Sequence, residues 1–219
     1  AYTLLLVEPG QVSHFHAKSV SKRSAVIDWL SPVRINTKPL LYEVHYKADW
    51  SATWHKLNTT GEKVPITLKE LVPYSNYTVS VSGIPLVAGV AQGYWSNSTN
   101  MTFTTLEDVP GANPQVSSSS YHIVQCIETD VRCVKIYWQS VPRRLQHGHI
   151  VGMLVEFWPI SADTRVRRSP GVSTLHVIGG HHNYANFTLD RHTSYEVTVS
   201  TITTLGTNNA LARQPIYIA

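Results

Sequence analysis

The clearest pattern in the chain is an alternation of apolar and polar positions with a period of two. In residues 41–46, for example, Tyr42, Val44 and Tyr46 fall on one face of an extended segment. A period of two indicates a strand with one buried face, because successive side chains point to opposite sides. The pattern predicts a protein built from half-buried β-strands.

Two strands joined by a proline-containing loop occur twice along the chain. In the first half an alternating strand ends on Trp29, and the loop that follows is residues 31–39. In the second half the matching strand ends on Trp138, and its loop is residues 140–148. An internal repeat of this kind predicts two copies of one domain.

A second repeated segment has tighter spacing. Leu71 is followed six positions later by Tyr77, and Leu189 is followed in the same way by Tyr195; alternating valines come after both tyrosines. This is the spacing of a tyrosine corner, in which a tyrosine near the start of strand F returns its hydroxyl to upstream backbone. The phenol ring is buried while its oxygen keeps a hydrogen-bond partner.

On these tryptophans and tyrosine corners, both halves resemble fibronectin type III domains. The resemblance covers residues 9–219 and implies an all-β chain of two immunoglobulin-like β-sandwiches in tandem. A length of 219 residues accommodates two domains of about 100 residues each. The expected division is a tail or the end of a preceding domain at 1–8, a first domain at 9–108, a proline-bearing linker at 109–114 and a second domain at 115–219.

Composition narrows the class of protein. Charged residues make up 15% of the chain and the net charge is +4, which is too small and too dispersed for a dedicated nucleic-acid binder. No apolar run reaches the ~18–20 residues of a membrane span. The apolar start at residues 1–7 has no basic region or cleavage site of a signal peptide. We expect any membrane anchor to lie outside this sequence.

Cysteines and glycosylation sequons indicate an extracellular, cell-surface location. Cys126 and Cys133 flank a short turn between predicted strands A and B, where a disulfide would contribute about 2 kcal/mol. Sequons for N-glycosylation occur at five asparagines, although a Ser/Thr-rich chain also generates sequons by chance. They are Asn58, Asn76, Asn97, Asn100 and Asn186.

One segment resembles a signature of class I cytokine receptors. Trp95 and Ser96 match part of the Trp-Ser-x-Trp-Ser motif where strand G is expected to begin, while Ser98 replaces the second tryptophan. Residues 134–142 and 148–156 resemble the domain after the cytokine-binding module in receptors of the interleukin-6 signal-transducer and Domeless type. The resemblance implies a ligand-binding and spacer module of a single-pass receptor signalling through associated kinases. Cell-adhesion proteins, receptor tyrosine kinases and receptor phosphatases carry similar tandems and are the alternative.

The expected partner-binding surface is the F–G loop of the first domain, residues 83–93. Leu86, Val87 and Val90 are apolar at a predicted loop tip, and an exposed apolar patch marks an interaction surface. Arg34, in the B–C loop, belongs to the same pole of the sandwich. The expected partner is a cytokine-like protein ligand or another cell-surface protein. The alternative is that the loop folds back and buries these side chains.

Two other clusters are weaker candidates. His147 and His149 in the B–C loop, with His181 and His182 in a predicted D–E loop, would suit Zn²⁺ or a pH switch. Loop histidines are usually just solvated, so we expect no metal and no cofactor. Two groups of arginines predicted on strand edges would suit a sulfated glycan or discourage edge pairing. They are Arg143 with Arg144, and Arg165 with Arg167 and Arg168.

Catalytic motifs are missing from the sequence. It contains no Gly-rich phosphate loop, no nucleophile elbow and no His-Glu-x-x-His helix. The expected function is binding rather than catalysis.

Overall fold

The computed structural model describes residues 8–32, 39–60, 64–160, 173–180 and 182–219. The chain divides into two compact units, Ala1–Leu106 and Glu107–Ala219. The apolar segment 1–7 lies outside the described residues. Within the described part, no helix has the length and apolar character needed to span a membrane.

The first unit is built from two antiparallel sheets. One sheet has the strand order β1-β2-β5, and the other has the order β4-β3-β6-β7 with β8 also paired to β6. The strands are β1 Ser13–Val20, β2 Ala25–Leu30, β3 Leu40–Ala48, β4 His55–Thr60, β5 Ile66–Leu68, β6 Asn76–Val87, β7 Val90–Ala91 and β8 Thr99–Thr104.

Inward-facing residues of both sheets form one core. Burial alternates along β2 and β3, as the period of two predicts. Trp29 is buried and meets Tyr42 edge to face, with ring centroids 5.3 Å apart. Such an aromatic pair adds about 0.5–1.5 kcal/mol beyond the burial of its area. The contact joins the two sheets, since Trp29 lies on β2 and Tyr42 on β3.

The tyrosine corner of the first unit forms as predicted. The backbone N–H of Val72 donates to the hydroxyl of Tyr77 at 2.9 Å, and Leu71 is buried beside it. Burial raises the pKa of Tyr77 above its ordinary value, and the hydrogen bond from Val72 partly opposes that shift. The corner is reinforced by Thr105, whose hydroxyl accepts from the N–H of Ser75 at 3.0 Å and donates to the carbonyl of Val72 at 2.7 Å.

The second unit repeats the two-sheet plan. Its sheets have the strand orders β13-β10-β9 and β12-β11-β14-β15. The elements are β9 Tyr121–Val124, β10 Val131–Tyr137, α1 Arg143–Gln146, β11 Ile150–Pro159, β12 Ser173–Ile178, β13 Tyr184–Asp190, β14 Tyr195–Thr203 and β15 Ile216–Ile218. Trp138 is buried in the core of this unit, as Trp29 is in the first.

The second tyrosine corner differs from the prediction. Leu189 is buried and Tyr195 begins β14, in the predicted places. In the part of the chain that the structure describes, however, the ring of Tyr195 packs edge-on against Phe157, and its hydroxyl makes no corner hydrogen bond. The turn before β14 is held instead by Asp190. Its carboxylate accepts from the N–H of His192 and the hydroxyl of Thr193, and these bonds lower the pKa of Asp190.

The segment after Leu106 is hydrogen-bonded into the second unit. The N–H of Asp108 donates to the carbonyl of His147 at 2.7 Å, and the N–H of Gly111 donates to the carbonyl of Leu145 at 2.9 Å. The side-chain oxygen of Asn113 accepts from the N–H of Thr201 at 3.2 Å. Residues 108–113, which include most of the predicted linker, are therefore held against the second unit.

A disulfide links Cys126 to Cys133, with Cα atoms 5.5 Å apart. Cys133 lies on β10, and Cys126 follows β9, the strand that pairs with it. The bridge closes the connection between the first two strands of the second unit.

Candidate ligand-binding surface

Strand β6 extends further than the sequence pattern indicated. The F–G loop was predicted to begin at Gly83, but β6 runs to Val87, because its ladder with β3 continues through the pairing of Leu40 with Pro85. Leu86 and Val87 therefore lie in a strand rather than at a loop tip. They pair with Ala91 and Val90 of β7, which makes the F–G connection a β-hairpin.

A two-residue turn forms the tip of this hairpin. Ala88 and Gly89 have φ values of 50° and 79°, the left-handed conformation that both central residues of a type I′ turn require. This turn type matches the right-handed twist of the flanking strands. The hairpin therefore projects as an ordered element, with Val90 beginning its return strand.

The base of the hairpin is fixed by hydrogen bonds. Ser96 is buried; its N–H donates to the carbonyl of Gly83 at 2.8 Å, and its hydroxyl accepts from the N–H of Gly83 at 3.0 Å. A Cβ at Gly83 would lie 3.1 Å from the ring of Tyr42, so glycine leaves room for that ring. The hydroxyl of Tyr42 donates to Ser31 in the B–C connection at 2.8 Å. These contacts join β6 and β3 to the segment before β8 and to the B–C connection.

Exposed apolar side chains occur on this hairpin and in the segment between it and β8. Val90 is 59% exposed, Tyr94 60% and Trp95 41%, while Leu86 and Val87 are half-buried. We call these five residues the F–G surface. Leu86 and Val87 pack partly against the fold, whereas Val90 faces water. The sequence analysis did not assign binding to Tyr94 and Trp95, although an aromatic pair after Gly93 in a loop is a recognisable signal.

The Trp-Ser segment lies before strand G rather than within it, since β8 begins at Thr99. The buried hydroxyl of Ser96 explains why serine stands there. Among the described residues, no lysine or arginine cation lies over the ring of Trp95. The tryptophan–arginine ladder of the cytokine-receptor motif is not formed by these residues. Arg34 lies outside the described residues.

Two histidines of the predicted cluster, His147 and His182, make contacts with different residues. A Cβ at Gly111 would lie 2.4 Å from the ring of His147, so that ring packs on the backbone of residue 111. His182 instead packs edge-on against Tyr184, with centroids 6.2 Å apart. Within the described residues no three His, Cys, Asp or Glu side chains form a group that could hold a metal ion. His149 is exposed, and His181 lies outside the described residues.

Two other sequence assignments change in the second unit. The loop predicted as D–E connects β12 to β13 and passes from one sheet to the other, because β12 pairs with β11 and β13 pairs with β10. Arg143 and Arg144 lie on α1 rather than on a strand edge. Proline at position 142 favours a helix start there, since its missing N–H costs nothing in a first turn. The arginines at 165–168 lie outside the described residues.

All five sequon asparagines are exposed. Asn58 lies on β4, Asn76 begins β6, Asn100 lies on β8 and Asn186 lies on β13. Asn97 precedes β8. Each amide is therefore on the outside of its unit.

Comparison with known proteins agrees with this architecture. The family model described as the fibronectin type III domain matches residues 10–107. Both units have the fibronectin type III β-sandwich fold. A crystal structure of chicken CNTN1 FN1–FN3 domains matches with a TM-score of 0.66 and 16% identity, over 95% of this chain and 66% of that one. At this identity the likeness shows the fold alone.

Curated relatives match across both sandwiches. Human protogenin is 26% identical over 200 residues, which cover 90% of this chain and 16% of protogenin. The netrin receptor DCC of Rattus norvegicus is 26% identical over 200 residues, covering 91% of this chain and 12% of DCC. The chain therefore spans about one-sixth or less of these relatives. They are not cytokine receptors, so the comparisons do not support the predicted cytokine-receptor type.

Proposed function

We propose that this chain is a non-catalytic segment of a cell-surface receptor or adhesion protein, and that it binds another cell-surface or secreted protein through the F–G surface of its first unit. The alignment of 90% of the chain with protogenin and 91% with a netrin receptor supports the receptor or adhesion class. This is the alternative named from the sequence rather than the cytokine-receptor hypothesis.

The observation that carries the binding site is the exposure of Val90 on the β6–β7 hairpin and of Tyr94 and Trp95 in the segment that follows it. Tyrosine and tryptophan are enriched in the energetic centres of protein interfaces. The hydrogen bonds between Gly83 and Ser96 hold the hairpin before any partner arrives. Pre-organisation of this kind reduces the entropy lost on binding.

The test is a binding screen with the secreted chain. Beads coated with the chain are mixed with one another to detect self-association, and the chain is applied to an array of purified receptor ectodomains and secreted proteins. Val90→Asp and Tyr94→Ala are expected to weaken the binding found by at least about tenfold, or about 1.4 kcal/mol. Val90 is preferred to Leu86 because its exposure allows substitution without disturbing the core.

Leu205→Asp is the matched control. Leu205 is 51% exposed in the turn after β14 of the second unit, so Leu205→Asp changes a comparably exposed apolar residue that is not part of the F–G surface. Unchanged affinity for Val90→Asp and Tyr94→Ala, with normal thermal unfolding, would exclude this surface. Selective binding of a helical-bundle cytokine would return the assignment to the cytokine-receptor class.

A further inference from the structure

An open groove of about 460 Å³ crosses the outward face of the first unit's larger sheet. Its lining residues are His45, Trp54, Thr78, Ser80, Ser98 and Asn100. Three of them stand in one row across the sheet, because His45 pairs with Ser80 and Ser80 pairs with Asn100. Neighbouring strands are about 4.8 Å apart, so the row spans about 10 Å.

One wall of the groove is aromatic and its floor carries hydroxyl groups. Trp54 is 45% exposed, and its ring centroid lies 6.4 Å from that of His45. The ammonium of Lys47 lies 4.9 Å from the centre of the Trp54 ring. The floor is formed by small residues such as Thr78 and Ser80. A sugar ring fits this combination, since its apolar face packs on an aromatic ring while its hydroxyls hydrogen-bond.

The groove carries the attachment point of such a sugar. Asn100 begins the sequon Asn100-Met101-Thr102, and its side chain is exposed on β8 and lines the groove. An N-linked glycan extends from the side-chain nitrogen of this asparagine. The first sugar attached there would be delivered to the opening of the groove, opposite Trp54, without any additional binding step.

We propose that Asn100 carries an N-linked glycan whose first N-acetylglucosamine packs on Trp54 and stabilises the first unit. Attachment forms a bond between Nδ2 of Asn100 and the anomeric carbon of a sugar carried on a lipid diphosphate. The bond from that carbon to the diphosphate oxygen breaks, and the amide gives up one proton as the lipid diphosphate leaves. This inference rests on the extracellular location in the proposed function.

Asn58 provides an internal comparison on the same outward face. It pairs with Glu43 across the β3–β4 ladder. The carboxylate of Glu43 is engaged by the ammonium of Lys56 and by the ring of His45, the latter at 2.9 Å. A glycan at Asn58 therefore meets charged neighbours where a glycan at Asn100 meets Trp54. We expect the Asn58 glycan to remain in solvent.

The experiment uses the whole chain secreted from glycosylating animal cells. Mass spectrometry of glycopeptides measures occupancy at each sequon, and thermal unfolding compares the wild type with Thr102→Ala, Trp54→Ala and the double variant. Thr102→Ala removes the sequon and keeps Asn100. Each single variant is expected to lower the melting temperature of the first unit by about 4–8 °C. The melting temperature of the double variant is expected to be no lower than that of Trp54→Ala alone, because the sugar contact that Thr102→Ala removes is already lost in Trp54→Ala.

Trp50→Ala is the matched control. Trp50 is 36% exposed in the same β3–β4 connection, but its indole N–H donates to Ser75 at 3.0 Å and it does not line the groove. The fall in melting temperature caused by Trp50→Ala should add to the fall caused by Thr102→Ala. A second readout is the rate at which an endoglycosidase removes each glycan from the folded protein. We expect release from Asn100 to be several-fold slower than from Asn58, and Trp54→Ala to abolish the difference.

Three results would overturn the inference: an unoccupied Asn100, additive effects of Trp54→Ala and Thr102→Ala, or equal release from Asn100 and Asn58. Each of these results is distinguishable from a result that contradicts protein binding by the F–G surface. Trp54 lies beyond the end of β3 at Ala48, whereas the F–G hairpin is next to its other end at Leu40. If Asn100 alone among the sequons is unoccupied, only the glycan inference fails. If all five are unoccupied, the extracellular assignment fails as well.

Discussion

The replacement Gly111→Ala tests whether the segment after Leu106 is an integral part of the second unit. The added Cβ would lie 2.4 Å from Cε1 of His147, and 2.7 Å from each of the two ring nitrogens. Optimal contacts between carbon atoms are about 3.5–4.0 Å. The backbone of His147 cannot easily retreat, because its carbonyl accepts from Asp108 at 2.7 Å. The imidazole ring must therefore move.

The expected change in the unfolding free energy of the second unit is the sum of two opposing effects. Overpacking of an ordered contact costs about 1–3 kcal/mol. Alanine also restricts the unfolded chain, which stabilises the folded state by about 0.4–1 kcal/mol where the backbone conformation is ordinary. We expect a net loss of about 1–2 kcal/mol from the second unit, which lowers its melting temperature by roughly 4–8 °C per kcal/mol.

The assay combines calorimetry of the whole chain with hydrogen-exchange mass spectrometry. Gly111→Ala should reduce protection in β11 and β14 and leave the first unit unchanged. In a His147→Ala background the overlap is gone, so Gly111→Ala should become stabilising by about 0.4–1 kcal/mol. If Gly111→Ala destabilises the second unit equally in the wild type and in His147→Ala, the contact with His147 is not the cause. If Gly111→Ala has no effect on the second unit, residues 108–113 are not held against it.

Three further outcomes are expected. Tyr77→Phe should destabilise the first unit by about 1 kcal/mol in urea unfolding, while Tyr195→Phe should be nearly neutral, because only Tyr77 makes the corner hydrogen bond in the described structure. Ser96→Ala should cost the first unit about 1–3 kcal/mol, measured in the same way, since it leaves the N–H of Gly83 without its partner. The pKa of Asp190 is lowered by folding, so its stabilising contribution is present above the ordinary Asp pKa and is lost as pH falls through the lower folded value. Asp190→Asn should remove that part of the fall in unfolding free energy at acid pH. An unchanged pH dependence of the unfolding free energy in this variant would contradict the prediction.

The cores of both sandwiches could be predicted because their signals are local. Trp29 lies near the end of β2 and Trp138 directly follows β10, and both are buried where the alternating pattern places them. The Leu71–Tyr77 spacing predicted a hydrogen bond within a few residues, which formed. The matching Tyr195 did not form it; its ring packs on Phe157, a residue from another strand that the spacing does not encode.

The candidate surfaces were harder to predict because they depend on pairing between distant segments. Val90 was recognised as an apolar loop residue, but the extension of β6 through Leu86 and Val87 required the ladders with β3 and β7. The groove between Trp54 and Asn100 depends on strand register. A shift of one residue in the β6–β8 pairing would turn Asn100 to the opposite face.

The sequence by itself determined the all-β class, the two repeated domains and the positions that point inward, because alternation and turn spacing act over a few residues. It also determined which asparagines can carry a glycan and which cysteines can form a disulfide, since sequons and cysteines are read directly from the sequence. Only the tertiary structure decided which exposed groups meet: Ser96 with Gly83, His147 with Gly111, and Trp54 with the groove that Asn100 lines. Such contacts depend on strand register and on the paths of the loops, which are set by the packing of the whole unit.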